Sequence, residues 1–269
     1  MSRRNAKLIK SPEQIVLARV AAQLAAAVLT MIGPHIKPGV TTAYLDQLCN
    51  DYIVNEQKVT TANVGYGGFP ATGCSSFNQV VCHGIPSATE ILKDGDIINI
   101  DVAVIKDGWH GDTSRMYYVG EPSKAARKLV ETTYAAMWAG IRAVKPRATL
   151  GDVGFAIQTV AEKAGFSVVL DYCGHGIGMT YHEDPQVTHY GRPGQGLILK
   201  PGMLFTIEPM INAGRAATKE LDDGWTVETR DQSLSAQWEH MVTVTETGFE
   251  VLTLAPGETG AKADIPIVG

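Results

Sequence analysis

Residues 99–116 read NIDVAVIKDGWHGDTSRM, and the rest of the chain is organised around this segment. Two runs containing β-branched and aromatic residues flank Lys106, Asp107 and Gly108. An Asp-Gly pair between such runs is a strong short-range signal for a β-hairpin. The sequence therefore predicts that two antiparallel strands meet at this turn.

The register of the hairpin decides how two carboxylates face each other. If residues 105–108 form the turn, Asp101 lies directly opposite Asp112; if Asp107 and Gly108 are the two central turn residues, the carboxylates are diagonal neighbours. In both registers they share one face and lie roughly 5 to 8 Å apart. Two carboxylates so close repel each other, so either one is protonated or a cation lies between them. The alternative is a pair of solvated carboxylates on an exposed face.

The composition describes a folded protein. The chain has 269 residues, of which 45% are hydrophobic, enough for the core of one large domain or two. A net charge of −5 provides no general attraction to nucleic acid or to an anionic membrane, so we expect neither as a partner. We interpret residues 1–10, with the basic cluster Arg3, Arg4, Lys7 and Lys10, as a flexible tail.

The sequence also indicates the compartment. No apolar segment typical of a signal peptide follows Arg3 and Arg4, and Arg19 and Gln23 interrupt the apolar-rich residues 15–32. The cysteines are scattered without a C-x-x-C pair, at Cys49, Cys74, Cys82 and Cys173. This spacing suits packed thiols in a reducing compartment better than a disulfide framework. We therefore expect a cytoplasmic protein that does not span a membrane.

Four helices are predicted from their first residues. Each begins after a hydroxyl side chain suited to an N-cap, and these are Ser11, Thr41 or Thr42, Ser123 and Thr149. The first helix extends to about Ile32, before Gly33-Pro34, and the third extends to about Ala143.

Three motifs occur twice in the same order. Lys37-Pro38 matches Lys145-Pro146, His83-Gly84-Ile85 matches His175-Gly176-Ile177, and residues 92–101 match residues 199–208. The offsets of about 108, 92 and 107 residues indicate two α+β halves related by an internal pseudo-twofold axis. Asp101 and Glu208 would then be equivalent and face the seam, where a ligand site would form.

Four carboxylates occur within strand-like apolar runs: Asp101, Asp112, Glu208 and Glu239. Charged residues in such runs are rarely left unpaired, and two divalent cations would balance four negative charges. With His175 as one nitrogen ligand, this set describes a dinuclear site of the kind that stabilises a hydrolytic transition state.

These motifs closely resemble those of the type I methionine aminopeptidases, in their short bacterial form. The matching motifs are Asn99-Ile100-Asp101 with Asp112, residues 174–178 (GHGIG), residues 205–210 (FTIEPM) and Glu239-His240, and the resemblance extends from about residue 11 to 254. It implies the pita-bread fold, an α+β fold with two pseudo-twofold-related halves whose antiparallel sheets are flanked by helices. A single catalytic domain of residues 11–254 would have halves at about 11–120 and 121–254, followed by a C-terminal tail of residues 255–269.

The resemblance also implies a reaction. The chain would remove the N-terminal methionine of nascent polypeptides with a small second residue, by attack of a metal-bridging hydroxide on the first peptide carbonyl. Two ions of cobalt, manganese, iron or zinc would be bound, with Asp112 and Glu239 bridging both, and the implied metal ligands are Asp101, Asp112, His175, Glu208 and Glu239. Glu208 would also shuttle the proton, His182 would donate a hydrogen bond to the oxyanion, and His83 would lie near the scissile nitrogen.

A pocket for the methionine side chain follows from the same resemblance, lined by Tyr66, Phe69, Cys74, Tyr181 and Trp225. The chain departs from the family pattern at two pocket positions: Asn63 stands where relatives often have cysteine, and Gly67 replaces a histidine. A weaker match implies a monovalent cation at Asn78, Val80 and Ser235. We further expect a monomer that contacts the ribosome transiently through Arg3 and Arg4.

Two other functions compete with this hypothesis. Pita-bread peptidases that cleave next to proline share the metal site, but they usually have an extra N-terminal domain, for which the first helix at Ser11 leaves no room. A non-catalytic binding protein of the same fold would be expected to have lost metal ligands, yet none of the five implied ligands is substituted.

Overall fold

The computed structural model describes residues 8–260 and the backbone of Ile267–Val268. Four α-helices form where the sequence predicts them: α1 (Pro12–Ile32), α2 (Thr42–Asp51), α3 (Lys124–Ala143) and α4 (Leu150–Lys163). Short helical turns occur at Gly33–His35, Tyr52–Glu56 and Tyr66–Gly68.

Hydroxyl side chains cap all four helices. The Ser11 hydroxyl accepts a hydrogen bond from the Gln14 backbone N–H, and the Gln14 side chain closes a capping box. Thr41, rather than Thr42, caps α2, and Ser123 caps α3. Thr149 forms a second capping box with Asp152. Local capping chemistry therefore fixes where these helices begin.

The strands of the described residues form four small sheets. In the first half they are β1 (Thr60–Thr61), β2 (Gly73–Phe77), β3 (Val80–Cys82), β4 (Ile97–Lys106) and β5 (Trp109–Val119). They continue with β6 (Ser167–Val168), β7 (Gly174–Gly176), β8 (Glu183–Val187), β9 (Leu204–Ile207) and β10 (Met210–Asn212). The last are β11 (Thr218–Glu220), β12 (Val227–Thr229), β13 (Ser235–Gln237), β14 (His240–Val244), β15 (Phe249–Val251) and β16 (Ile267–Val268).

Strands β4 and β5 form the predicted hairpin and select one of its two registers. Lys106 pairs with Trp109, so Asp107 and Gly108 are the central turn residues, with φ of 51° and 81°. Positive φ at both positions is what a type I′ turn requires. Ala103 pairs with Asp112, which makes Asp101 and Asp112 diagonal neighbours. The alternative in which the two carboxylates lie directly opposite each other is wrong.

The repeated motifs occupy equivalent places in the two halves. An isolated bridge joins Thr41 to Ile91 in the first half, and another joins Thr149 to Ile198 in the second. The backbone N–H of Gly95 donates to the carbonyl of Val119, as that of Gly202 donates to the carbonyl of Val244. Strand β4 lies between β2 and β5, as β9 lies between β7 and β14. The hydrogen-bond pattern therefore repeats along with the sequence.

Each half contributes an apolar cluster. In the first half, α1 packs on β4 and β5, and α2 packs on α1 and β2. Leu29, Ile98 and Tyr117 belong to that cluster. In the second half, α3 and α4 pack together, and the larger cluster there contains Trp238 and Phe205 and extends to Met116 of β5. The two halves meet at a seam, where β13 and β14 contact β5.

Helix α1 has the length and hydropathy of a membrane span. Residues 12–35 meet that test, but half of the apolar window is buried inside the fold. Its buried side chains lie against β4 and β5. Packing in the protein core therefore accounts for the apolar character of α1. All four cysteines are free thiols.

The described residues near both chain ends form backbone pairs with the rest of the fold. Ile9 pairs with Met203, the backbone N–H of Lys10 donates to Gly202, and the Lys10 side chain forms an ion pair with Glu183. The flexible tail predicted for residues 1–10 therefore does not include these last residues, because backbone pairing and an ion pair attach them to the second half. Arg3, Arg4 and Lys7 lie outside the described residues. Strand β16 pairs with β5 in parallel.

Candidate metal centre

The five predicted ligands come from separate elements and line one cavity of about 330 Å³ at the seam. Asp101 lies on β4, Asp112 on β5 and His175 on β7. Glu208 follows β9 directly, and Glu239 lies between β13 and β14. The equivalent ends of β4 and β9 therefore bring Asp101 and Glu208 to the same cavity, as the repeat predicted.

Their distances suit a shared cation. The Nε2 atom of His175 is 3.5 Å from Asp112 Oδ2 and 3.5 Å from Glu208 Oε1. Asp112, His175 and Glu239 offer ligand atoms that all lie within 4.8 Å of one another. Oδ1 of Asp112 and Oε1 of Glu239 are buried and have no hydrogen-bond partner among the described residues. Buried carboxylate oxygens left over in this way fit the oxygen-rich ligand set of a divalent cation.

Hydrogen bonding orients the imidazole of His175. Its Nδ1 atom lies 3.0 Å from the carbonyl oxygen of Gly176, to which it donates. The backbone N–H of His175 donates to Thr206 Oγ1. Once Nε2 has lost its proton, its lone pair faces the carboxylates of Asp112 and Glu208. An imidazole held through its other nitrogen is a common arrangement for a metal ligand.

The site retains protons when no cation balances its charge. Burial raises the pKa of Asp101 and Glu239 well above the ordinary range, and the charge of Asp112 raises both further. Burial also raises the pKa of Glu208, to about 7. Burial alone would lower the pKa of His175, but its hydrogen bond with Asp112 and the charge of Glu208 raise it to about 9.

Three neighbours that the sequence analysis did not assign to the site hold Glu208 in place. The Thr206 hydroxyl donates to Glu208 Oε1 at 2.7 Å, and Gln237 Nε2 donates to Oε2 at 3.4 Å. The backbone N–H of Glu208 donates to Nε2 of His189 at 3.2 Å. Thr206 lies within a recognised motif, but no periodicity or spacing marks His189 or Gln237.

His189 is fully buried, and burial lowers its pKa to about 3, so its ring is neutral. A neutral ring can accept the Glu208 N–H at Nε2.

Two further histidines face the cavity, as the sequence predicted. The rings of His182 and His175 lie 4.1 Å apart, and Nδ1 of His182 lies 2.7 Å from the Tyr66 hydroxyl. Partial burial and the nearby His175 lower the pKa of His182 to about 4. Burial also lowers the pKa of His83, whose ring contacts Tyr172 edge-on at 5.6 Å. Both imidazoles are therefore neutral near pH 7.

The predicted side-chain pocket adjoins these histidines. Phe69 and Trp225 meet edge to face with centroids 5.1 Å apart, and Tyr66 and Tyr181 meet at 4.9 Å. Cys74 completes the predicted set, and all five residues line the cavity. Cavity-lining residues that the sequence analysis did not place in the pocket are Cys82, Asp171, Tyr172, Cys173, Met210 and Gln237.

The two departures from the family pattern have structural consequences. The Tyr181 hydroxyl donates to Asn63 Oδ1 at 2.7 Å, so the two polar groups pair with each other in a buried wall. A Cβ atom at Gly67 would lie 3.1 Å from the Trp225 ring. Because Gly67 has no side chain, the Trp225 ring can lie close to its backbone.

The three residues predicted for a monovalent cation do not line this cavity. Asn78 and Ser235 lie side by side, since the Ser235 N–H donates to the Asn78 carbonyl at 2.8 Å. Val80 belongs to β3.

Comparison with known proteins places these features in a family. The model of metallopeptidase family M24 matches residues 17–246. The chain is 55% identical to the methionine aminopeptidase of Escherichia coli strain K12 over 251 residues, which cover 93% of this chain and 95% of the relative. The crystal structure of methionine aminopeptidase from Rickettsia prowazekii matches with a TM-score of 0.90 and 53% identity, covering 91% of this chain and 99% of that chain.

The prolidase of Pyrococcus furiosus has a similar fold at much lower identity. Its TM-score is 0.72 at 20% identity, and the match covers 93% of this chain but 66% of the prolidase.

Proposed function

Because the chain belongs to metallopeptidase family M24, and within it to the methionine aminopeptidases, we propose that it removes the N-terminal methionine of polypeptides whose second residue is small. It is a metal-dependent aminopeptidase with the α+β pita-bread fold. The observation that carries the proposal is the convergence of four carboxylates and one imidazole beside an apolar pocket.

The proposed ligands, which would together hold two divalent cations, are Asp101, Asp112, His175, Glu208 and Glu239. Four carboxylates match the charge of two such ions, and buried oxygens of Asp112 and Glu239 lack partners within the described structure. Manganese, iron, cobalt and zinc all accept oxygen-rich ligands with one imidazole. When bound, the ions lower the pKa of water and polarise the peptide carbonyl.

Glu208 is the proposed proton carrier. Its carboxylate is oriented by Thr206 and Gln237, and burial brings its pKa to about 7 in the absence of a cation. Held in this orientation, the Glu208 carboxylate would take a proton from the attacking water and pass it to the leaving amine. The water oxygen adds to the carbonyl carbon to give a tetrahedral intermediate, and the C–N bond breaks when this intermediate collapses and the leaving amine takes up the proton.

His182 and His83 have separate proposed roles. With the Tyr66 hydroxyl donating to Nδ1 of His182, the neutral ring carries its proton on Nε2 and can donate to the developing oxyanion. Loss of one such donor typically costs about 2.7 to 4 kcal/mol of transition-state stabilisation. His83, buried beside Trp225, would contact the scissile nitrogen.

The pocket suits one unbranched apolar side chain. The cavity that contains both this pocket and the proposed metal ligands has a volume of about 330 Å³, which lies at the lower end of ligand cavities. Thioether sulfur makes favourable contacts with ring edges, and Phe69 and Trp225 provide such edges.

The remaining expectations stay proposals. We propose that the chain acts in the cytoplasm as a monomer on nascent polypeptides. A transient ribosome contact through Arg3 and Arg4 is proposed from their charge alone, and both lie outside the described residues. A monovalent cation bound by Asn78, Val80 and Ser235 is also a proposal, as is a single catalytic domain of residues 11–254.

The test measures methionine release from the peptide Met-Gly-Met-Met. Metal-stripped protein should be inactive, manganese or cobalt should restore release, and Glu208→Gln should lower kcat at least a hundredfold. Glu250→Gln, which changes a distant carboxylate, serves as the matched control and should keep full activity. Release that does not depend on metal, or a fully active Glu208→Gln, would refute the mechanism.

The prolidase-like alternative is tested with the same preparations. Cleavage of an Xaa-Pro dipeptide without release of methionine would favour it. The structural match to prolidase supports the fold alone, because identity is 20% and a third of the prolidase is not covered.

A further inference from the structure

Glu258 lies in the segment 255–269 that the sequence analysis assigned to a C-terminal tail, yet its side chain contacts strands β5 and β14. The Glu258 side chain is only 8% exposed. Its Oε2 atom accepts hydrogen bonds from Arg115 Nη2 at 3.3 Å and from the Ala255 N–H at 3.1 Å. Its Oε1 atom accepts from Tyr134 Oη at 3.0 Å and lies 3.2 Å from His240 Nε2. One buried carboxylate therefore joins two strands and a helix.

The two strands carry or adjoin two of the proposed metal ligands. Arg115 lies on β5 three residues after Asp112, and His240 directly follows Glu239 at the start of β14. Adjacent residues of an extended strand point to opposite faces, so His240 points away from the cavity when Glu239 points into it. The same alternation separates Arg115 from Asp112 on β5. Glu258 thus contacts both strands from behind the metal centre.

Other bonds extend this connection to the ligands. Nδ1 of His240 lies 2.9 Å from Thr253 Oγ1, which also accepts the Met241 N–H. The Asp112 N–H in turn contacts the Met241 sulfur at 3.2 Å. Across the strands, Thr113 Oγ1 donates to the Glu239 carbonyl at 2.7 Å. A shift of His240 would therefore be transmitted to the backbone of both Glu239 and Asp112.

We propose that Glu258 is a positioning residue of the metal centre, which holds β5 and β14 so that Asp112 and Glu239 can share cations. This inference rests on the proposed metal-dependent function. Glu258 touches neither the cavity nor substrate, and its effect is transmitted through Arg115 and His240.

The hydrogen bonds that Glu258 accepts make Glu258→Gln the informative substitution. All four partners can donate to the Glu258 carboxylate, two at each oxygen. A glutamine amide has only one acceptor oxygen, so its NH₂ group would face two donors. Glu258→Gln therefore disrupts the cluster while changing side-chain volume little.

The test uses the full metal-stripped chain and titration calorimetry with Mn²⁺. We expect Glu258→Gln to weaken Mn²⁺ affinity at least tenfold, with KM for the peptide changed less than twofold at saturating metal. The matched control is Glu250→Gln, which removes the two-bond ion pair between Arg19 and Glu250. It should change Mn²⁺ affinity less than twofold. Thr253→Val removes the other partner of His240 and, as a milder change, should weaken affinity about threefold.

The outcomes separate this inference from the proposed function. Unchanged Mn²⁺ affinity in Glu258→Gln, or an equal loss in Glu250→Gln, would overturn the positioning role. If Glu258→Gln does not fold, unchanged affinity in Thr253→Val overturns it. Wild-type protein that binds Mn²⁺ but releases no methionine would refute the proposed function, while the affinities would still decide the role of Glu258.

Discussion

At the scale of single residues, the proposed metal centre is a set of groups that would exchange protons for cations. Asp101, Glu208 and Glu239 have raised pKa values because burial and mutual repulsion penalise their charged forms. His175 has a raised pKa because two carboxylates favour its cation. Cations need these ligands deprotonated, so binding must release the protons.

We therefore predict that Mn²⁺ affinity rises with pH between 6 and 8. The affinity should rise with pH because protons compete with Mn²⁺ for these groups more strongly at lower pH. The pKa values are raised to about 7 for Glu208 and to about 9 for His175. Calorimetry in two buffers of different ionisation enthalpy should detect release of at least one proton per chain at pH 7. A pH-independent affinity with no proton release would contradict the prediction.

Whether a polar residue fits at position 63 cannot be judged without knowing its hydrogen-bond partner, Tyr181. From the sequence, Asn63 was only a departure from the family pattern. In the structure its amide oxygen pairs with the Tyr181 hydroxyl, so neither polar group is left unsatisfied beside an apolar pocket. Asn63 is therefore compatible with the apolar pocket because of Tyr181, which lies 118 positions away in the chain.

At the scale of elements, the β4–β5 hairpin sets the separation of Asp101 and Asp112 through its turn. Asp107 and Gly108 both have positive φ, so the pairing on either side follows from two residues. Strand pairing alone could not select the register, because both registers place the carboxylates on one face.

We predict that Gly108→Ala lowers the free energy of unfolding by about 1 kcal/mol, because an alanine is strained at φ of 81°. Asp107→Asn is the matched control and should be nearly neutral, since asparagine also tolerates positive φ. Urea denaturation of the metal-free protein measures both. Equal stability of Gly108→Ala and wild type would show that the turn does not depend on glycine.

At the scale of the whole molecule, the pseudo-twofold repeat gives two glycines, Gly95 and Gly202, similar backbone conformations but different neighbouring atoms. Gly95 and Gly202 have similar φ values of 92° and 85°. A Cβ atom at Gly202 would lie 2.7 Å from the Lys10 carbonyl oxygen, whereas at Gly95 the nearest atom is 3.7 Å away. The attached N-terminal segment therefore distinguishes the two halves.

We predict that Gly95→Ala costs about 1 kcal/mol from backbone strain alone, and that Gly202→Ala costs about 2 to 3 kcal/mol because the clash adds to the strain. Chemical denaturation compares the two variants. Deletion of residues 1–10 should bring the cost of Gly202→Ala close to that of Gly95→Ala. If the deletion leaves the difference unchanged, contact with Lys10 is not its cause.

Much of the proposed metal centre could be predicted because the proposed ligands lie in distinctive motifs. Asp101, His175 and Glu208 were found from repeated or glycine-flanked segments, and the cavity brings them together. His189 and Gln237 could not be found in this way. They act through one hydrogen bond each to Glu208, and such a contact has no sequence period.

The helix starts and the hairpin could be predicted from the sequence because capping and turn chemistry are local, and the two-half repeat could be predicted because its motifs recur in the chain. The hairpin register could not, because the sequence left two turns open, and the structure shows the one with Asp107 and Gly108 at its centre. The pairing of Asn63 with Tyr181 and the burial of Glu258 also required the structure, because both depend on contacts between residues distant in the chain, whose energies are set by the enclosed space and by which polar partners reach it.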